Sequence, residues 1–204
     1  MDDRLLRYGL KPVVFMLLLL PAALLLAGLL RGTLGADPVA TLLWQTGLWA
    51  LRLLLASLAV TPLQRLTGWR WPIRWRRQLG LFAFFYACLH LAVYAVFDRS
   101  LDLAAVWEDI VERPFITVGA LAFLLLVPLA ATSTRGAVRR LGPRWQQLHR
   151  LVYLAAGLAV LHYLWLVKAD LRPPLIYAGI LAVLLLLRLP LPLPWRRRLG
   201  PASG

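Results

Sequence analysis

The sequence predicts an all-α, polytopic membrane protein of six transmembrane helices in a bundle with both termini cytoplasmic, and three observations carry that expectation. Hydrophobic residues make up 61% of the 204, well above the roughly 45–50% of soluble domains. Apolar runs long enough to cross a bilayer recur at regular intervals. Lys and Arg gather in alternate loops, as the positive-inside bias requires.

The first run extends from Pro12 to Leu30 and follows Arg4, Arg7 and Lys11. Its start resembles a signal peptide, but the run is too long and further spans follow, so an uncleaved first helix is expected. The second run covers about Leu43 to Thr61 and is expected to close at Pro62, and the third covers Leu79 to Phe97. The fourth runs from Phe115 to Thr132, the fifth from Trp145 to Val167 and the sixth from Pro174 to Leu189. The runs are continuously apolar rather than alternating, which selects helices over barrel strands. No internal repeat is visible, and no segment is long enough for a separate soluble domain.

Sorting charges by loop tests this count. One side takes Arg4, Arg7, Lys11, Arg65, Arg70, Arg74, Arg76, Arg77, Arg135, Arg139, Arg140, Arg144, Arg150, Arg188, Arg196, Arg197 and Arg198, which is 17 of the 23 basic residues. The other takes Arg31, Arg99, Arg113, Lys168 and Arg172 beside Asp37, Asp98, Asp102, Glu108, Asp109, Glu112 and Asp170. The basic side is therefore assigned to the cytoplasm. Tryptophans including Trp44, Trp69, Trp71, Trp107, Trp145, Trp165 and Trp195 fall near span ends, where amphipathic rings anchor. The net charge of +14 is topogenic, and no water-exposed basic face remains for nucleic acid. A single cysteine, Cys88, excludes an internal disulfide and a multi-cysteine zinc site.

His90, His149 and His162 all lie within or at the edge of spans, where ionisable groups are rare and usually functional. Imidazole from two helices of a bundle is the ligand set that b-type haem takes. At 1.5 Å per residue, His90 lies roughly 3 Å and His162 roughly 9 Å to the periplasmic side of their midpoints, so the two can share one haem. His149 lies roughly 10 Å on the cytoplasmic side. Its 13-residue separation from His162 suits a second haem in height but leaves a remainder of about 220° on a straight helix. Gly157 is a candidate distortion between them. Arg77 stands 13 residues before His90, where a second histidine ligand would be needed. The competing reading of each histidine is an interhelical hydrogen bond.

Arg52, inside the second span, has three candidate partners: a haem propionate, the headgroup region by snorkelling, or a loop carboxylate such as Asp37. Tyr86, Tyr94, Tyr153, Tyr163 and Trp165 can pack on a porphyrin or on neighbouring helices. Arg144, Trp145, Gln146, Gln147, His149 and Arg150 place cations, amides and an aromatic ring at the cytoplasmic interface, suited to a quinone, a flavin phosphate or plain anchoring.

Several stretches together resemble the MsrQ (YedZ) family. They are GADPV at Gly35 to Val39, TG at Thr46 and Gly47 with Ala50, Leu51 and Arg52, TPL at Thr61 to Leu63, and RRQLGL at Arg76 to Leu81. Then follow LHL at Leu89 to Leu91 with Tyr94, ERPFITVG at Glu112 to Gly119, STR at Ser133 to Arg135, LGPRWQQLHRLVYL at Leu141 to Leu154, and LHYLWLVK at Leu161 to Lys168. The resemblance implies one ferric reductase-like transmembrane domain over residues 1–204, in a bacterial inner membrane. It implies a redox subunit, distinct from the catalytic one, that passes electrons to a periplasmic MsrP-type molybdopterin methionine sulfoxide reductase repairing oxidised proteins. It implies haem b, one or two per chain, and FMN, with electrons from quinol or a cytoplasmic flavin reductase. It assigns His90 and His162 as metal ligands, with His149 a further ligand or the neighbour of a second redox site. Two other readings of the residues are a small transporter or channel using Arg52 and the histidines, and a structural anchor subunit without redox role.

Overall fold

The computed structural model describes residues 9–69 and 71–189. The basic residues Arg4, Arg7, Arg70, Arg196, Arg197 and Arg198, and Trp195, lie outside the described residues. The chain runs through α1 (Lys11–Arg31), α2 (Pro38–Thr67), α3 (Ile73–Val93) with a π-helical extension Tyr94–Asp98, α4 (Leu103–Glu112) and α5 (Pro114–Ala131). It continues through α6 (Arg135–Leu141), α7 (Pro143–His149), α8 (Leu151–Leu166) and α9 (Arg172–Leu186).

Among the described residues, five helical segments are long and apolar enough to cross a membrane: Lys11–Arg31, Pro38–Thr67, Ile73–Asp98, Pro114–Ala131 and Pro143–Leu166. The expected sixth is the apolar α9 of 15 residues, about 22 Å long at 1.5 Å per residue and short of a hydrocarbon core of about 30 Å. Caps follow from local chemistry. Asp37 accepts from the Ala40 amide at the start of α2, and Asp102 accepts from Ala104 and Ala105 at the start of α4. Gly32 at φ 66° and Gly68 at φ 74° end α1 and α2 in the left-handed conformation that only glycine adopts cheaply.

The core forms where α2, α3 and α8 meet, around Leu54, Leu58, Ala83, Tyr86, Ala156 and Val160. Ala83, Ala155 and Ala156 are fully covered, the small side chains that let helix backbones approach in lipid.

Pro62 departs from the expectation, and both it and Pro21, inside α1, are accommodated by a polar side chain from a distant part of the chain. Helix α2 does not close at Pro62 but continues to Thr67. Proline has no N–H to give the carbonyl four residues earlier, which is Leu58, and the Arg188 guanidinium donates to that carbonyl instead. In α1, near Pro21, the buried Tyr86 hydroxyl donates to the Leu18 carbonyl at 2.8 Å and accepts from the Ala22 amide at 3.1 Å. Tyr86→Phe is therefore expected to destabilise the fold by about 1–3 kcal/mol, the cost of buried groups left without a partner, measured as a lowered thermal midpoint in detergent.

The fifth span is interrupted at Arg150, not at Gly157, which sits in regular α8. Amide-to-carbonyl bonds over three residues, Arg150 to Gln147 and Tyr153 to Arg150, tighten the chain there. This joint lies between His149 and His162.

Candidate functional site

His90 projects from α3 and His162 from α8, and the fold brings their rings to a centroid separation of 6.3 Å at an interplanar angle of 78°. The depth arithmetic placed them at compatible levels, and the structure pairs them. Each ring is held the same way. His90 Nδ1 donates to the Leu43 carbonyl of α2 at 3.0 Å, and His162 Nδ1 donates to the Phe115 carbonyl of α5 at 2.6 Å. Since a carbonyl only accepts, the proton is on Nδ1 in both rings and the lone pair is on Nε2. No hydrogen bond reaches either Nε2 among the described residues.

Glycine makes this approach geometrically feasible. A Cβ added at Gly47 would stand 3.1 Å from His90 Nδ1, and one added at Gly119 would stand 2.7 Å from His162 Nδ1. Both hydrogen bonds span 47 residues, and Leu43 and Phe115, Gly47 and Gly119, and His90 and His162 each differ by 72 in number. The α2–α3 and α5–α8 pairs are thus two copies of one device facing each other. The sequence did not display this repeat, because only a glycine and a histidine are retained and the third partner is a main-chain carbonyl.

The pair fits iron in a macrocycle. An imidazole nitrogen binds a transition metal at roughly 2.0–2.1 Å and the ring centre lies roughly 1.1 Å behind it, so two rings on opposite sides of one ion have centres roughly 6–6.5 Å apart. The observed 6.3 Å falls in that range. Among the described residues no group of three or more His, Cys, Asp or Glu side chains converges on a metal-sized site. A two-ligand centre suits an ion whose remaining ligands are supplied by a porphyrin. Nδ1–H bonds to backbone carbonyls are the outer contacts that fix the tautomer and aim of such ligands. Beside His162 an open recess of about 390 Å³ is lined by Pro114, Phe115 and Trp165.

His149 stands apart. Its ring stacks on Trp145 at 3.9 Å and 27°. The Thr132 hydroxyl donates to the Pro128 carbonyl at 2.6 Å, so toward His149 Nε2, 3.1 Å away, it accepts. The bare nitrogen is therefore Nδ1. Trp145 Nε1 donates to the Thr132 carbonyl at 3.0 Å, which makes Thr132 the hub of this cluster. No second imidazole is brought to His149; its counterpart in the repeat, 72 residues earlier, is Arg77, which is exposed. Arg144 is likewise exposed.

Arg52 does not pair with Asp37, the protein partner that the sequence offered. Asp37 is occupied in capping α2, and Arg52 Nε donates to the Tyr177 hydroxyl of α9 at 3.0 Å while its guanidinium lies 5.4 Å from the Trp49 ring centre. Tyr177, which sequence reasoning missed, also packs edge-on to Tyr163, and Tyr163 to Trp44. Of the other aromatic candidates, Tyr94 donates to Asp109 and Tyr153 receives Arg188, while Trp165 is exposed and lines the recess.

The family described as ferric reductase like transmembrane component matches residues 46–160, a stretch that contains His90 and His149 and ends two residues before His162. The protein-methionine-sulfoxide reductase heme-binding subunit MsrQ of Rhodospirillum rubrum is 57% identical over 192 residues, covering 94% of this chain and 92% of its own. The proteins of the same name from Herminiimonas arsenicoxydans and Azospira oryzae are 52% and 50% identical, covering 87% and 96% of this chain and 83% and 86% of their own. With five segments of spanning length among its described residues and two histidine rings brought to 6.3 Å, the chain is similar over nearly its whole length to these proteins and belongs to the MsrQ family of ferric reductase-like transmembrane proteins.

Proposed function

We propose that the chain is a membrane electron-transfer subunit that holds one haem b between His90 and His162 and serves a methionine sulfoxide reductase. The observation that carries this is the pair of opposed imidazoles, each with Nδ1–H tied to a backbone carbonyl and Nε2 unengaged. Bound there, haem supplies an iron that takes up and gives up one electron. The Leu43 and Phe115 carbonyls set the aim and basicity of the rings, Gly47 and Gly119 make room for them, and the apolar core keeps water away.

In this reading α9 completes a six-span bundle in a bacterial inner membrane, with both termini cytoplasmic. The charge segregation supports it, since among the described residues every Asp and Glu lies at the end of the bundle nearer the histidine pair. The acceptor is a periplasmic MsrP-type molybdopterin reductase, which the recess at Pro114, Phe115 and Trp165 would face. The donor is quinol or a cytoplasmic flavin reductase, acting at the basic end. There Trp145 and His149 offer a stacked platform with a bare Nδ1 for a quinone or FMN ring, and Arg77 and Arg144 offer charge for a phosphate. Arg52, with Tyr177, is the intramembrane cation for a haem propionate.

The test is transfer to the partner. The purified chain, reduced with stoichiometric dithionite, is mixed with the periplasmic catalytic subunit and methionine sulfoxide. Reoxidation that requires both additions is expected; a reduced spectrum unchanged by them contradicts the reading.

A further inference from the structure

Helix α4 joins the outer ends of α3 and α5 and carries three separate faces. Leu103, Trp107 and Val111, one turn apart, are 78%, 68% and 65% exposed. At 100° per residue, Glu108 and Glu112 form a second exposed face about 120° away from that stripe. The third face is turned to the protein, with Asp109 buried and Ala105 and Val106 half-buried. A helix in water would have no reason to present a stripe of Leu, Trp and Val beside a separate acidic face. Lipid on one side and water on the other is the environment that such a pattern fits.

The surroundings favour lipid as the occupant. The stripe follows the exposed Val96 and Phe97 at the end of the span formed by α3 and its π-helical extension, and α4 leads directly into α5, whose Leu121, Leu124 and Val127 are exposed as well. These apolar side chains belong to spans, whose outward surfaces meet acyl chains. Trp107 lies in the middle of the stripe, a ring type enriched at membrane interfaces.

The same helix is clamped to both halves of the histidine site. Asp109 accepts from the Tyr94 hydroxyl at 2.5 Å and pairs with Arg99 at 2.6 Å and Arg113 at 3.0 Å. Tyr94 lies one turn beyond His90. The Thr117 hydroxyl donates to the Ile110 carbonyl, and Thr117 sits between Phe115, which holds His162, and Gly119, which admits it.

We propose that α4 lies in the membrane–water interface, with Leu103, Trp107 and Val111 in the lipid and Glu108 and Glu112 in the water. It thereby sets the depth of the histidine pair through Asp109 and Thr117. This goes beyond the electron-transfer reading and stands or falls independently of it.

Nitroxide labels on Leu103→Cys, Trp107→Cys, Glu108→Cys and Glu112→Cys, each in a Cys88→Ser chain in phosphatidylethanolamine–phosphatidylglycerol nanodiscs, test the placement. Collision with oxygen, which concentrates among acyl chains, is compared with collision with a water-soluble nickel chelate. Labels at 103 and 107 are expected to favour oxygen several-fold over those at 108 and 112. The proposal is overturned if 103 and 107 meet nickel as freely as 108 and 112, or if they are screened from both reagents, as a second protein covering the stripe would do. Quenching by brominated lipids, compared between the wild type and Trp107→Phe, reads the same contact without cysteine. A quenched component lost in Trp107→Phe supports the placement, and equal quenching overturns it.

Discussion

Gly119→Ala is expected to lower haem affinity about 5- to 150-fold, because forcing a methyl group into a filled contact costs about 1–3 kcal/mol. The added Cβ would stand 2.7 Å from His162 Nδ1 and 3.0 Å from Cε1, and the ring cannot retreat without losing its bond to the Phe115 carbonyl. Gly47→Ala meets His90 at 3.1 Å, so the loss there is expected to be smaller. Gly157→Ala has nothing within 4 Å and replaces glycine inside a helix, so it should leave haem content unchanged and stabilise α8 by up to about 1 kcal/mol. The graded series, read by haem titration of the apoprotein, separates a steric effect at the ligands from a general effect of losing glycine. Equal affinities in all three variants would contradict the packing of the rings against α2 and α5.

Arg188→Met is expected to destabilise the chain by about 1–3 kcal/mol in detergent, and Pro62→Ala to recover much of that loss. Arg188 donates to the Leu58 carbonyl and, at 2.7 Å, to the Tyr153 hydroxyl. Removing it leaves the Leu58 carbonyl without a partner, since residue 62 has no N–H. Alanine at 62 restores the helical donor. The two changes should therefore couple: in a double-mutant cycle Arg188→Met costs less in the Pro62→Ala background than in the wild type. Additive losses would show that Arg188 acts through Tyr153 alone.

What the sequence made legible was what a bilayer imposes directly. Spans had to be long and apolar, and the bilayer left helices as the element to build them from. His90 and His162 paired because depth along a helix is simple arithmetic. What stayed hidden depended on backbone groups or on residues far apart in the chain. The Leu43 and Phe115 carbonyls have no residue signature, so the repeated device around the two histidines left only a shared spacing. Pro62 reads as a helix end until Arg188, 130 residues from Leu58, is seen to take the free carbonyl. Arg52 found Tyr177, 125 residues away, and no local pattern names that partner. The break in the helix between His149 and His162 falls at Arg150, where the chain tightens, and not at the more conspicuous Gly157.

The central claim is that one haem sits between His90 and His162 and that His149 does not ligate it. Haem per chain, measured by pyridine haemochrome in the wild type and in His90→Ala, His149→Ala and His162→Ala, tests it most directly. The geometry predicts one haem in the wild type, nearly complete loss in His90→Ala and in His162→Ala, and full retention in His149→Ala. Full haem in either of the first two variants, or loss in His149→Ala equal to theirs, would contradict it.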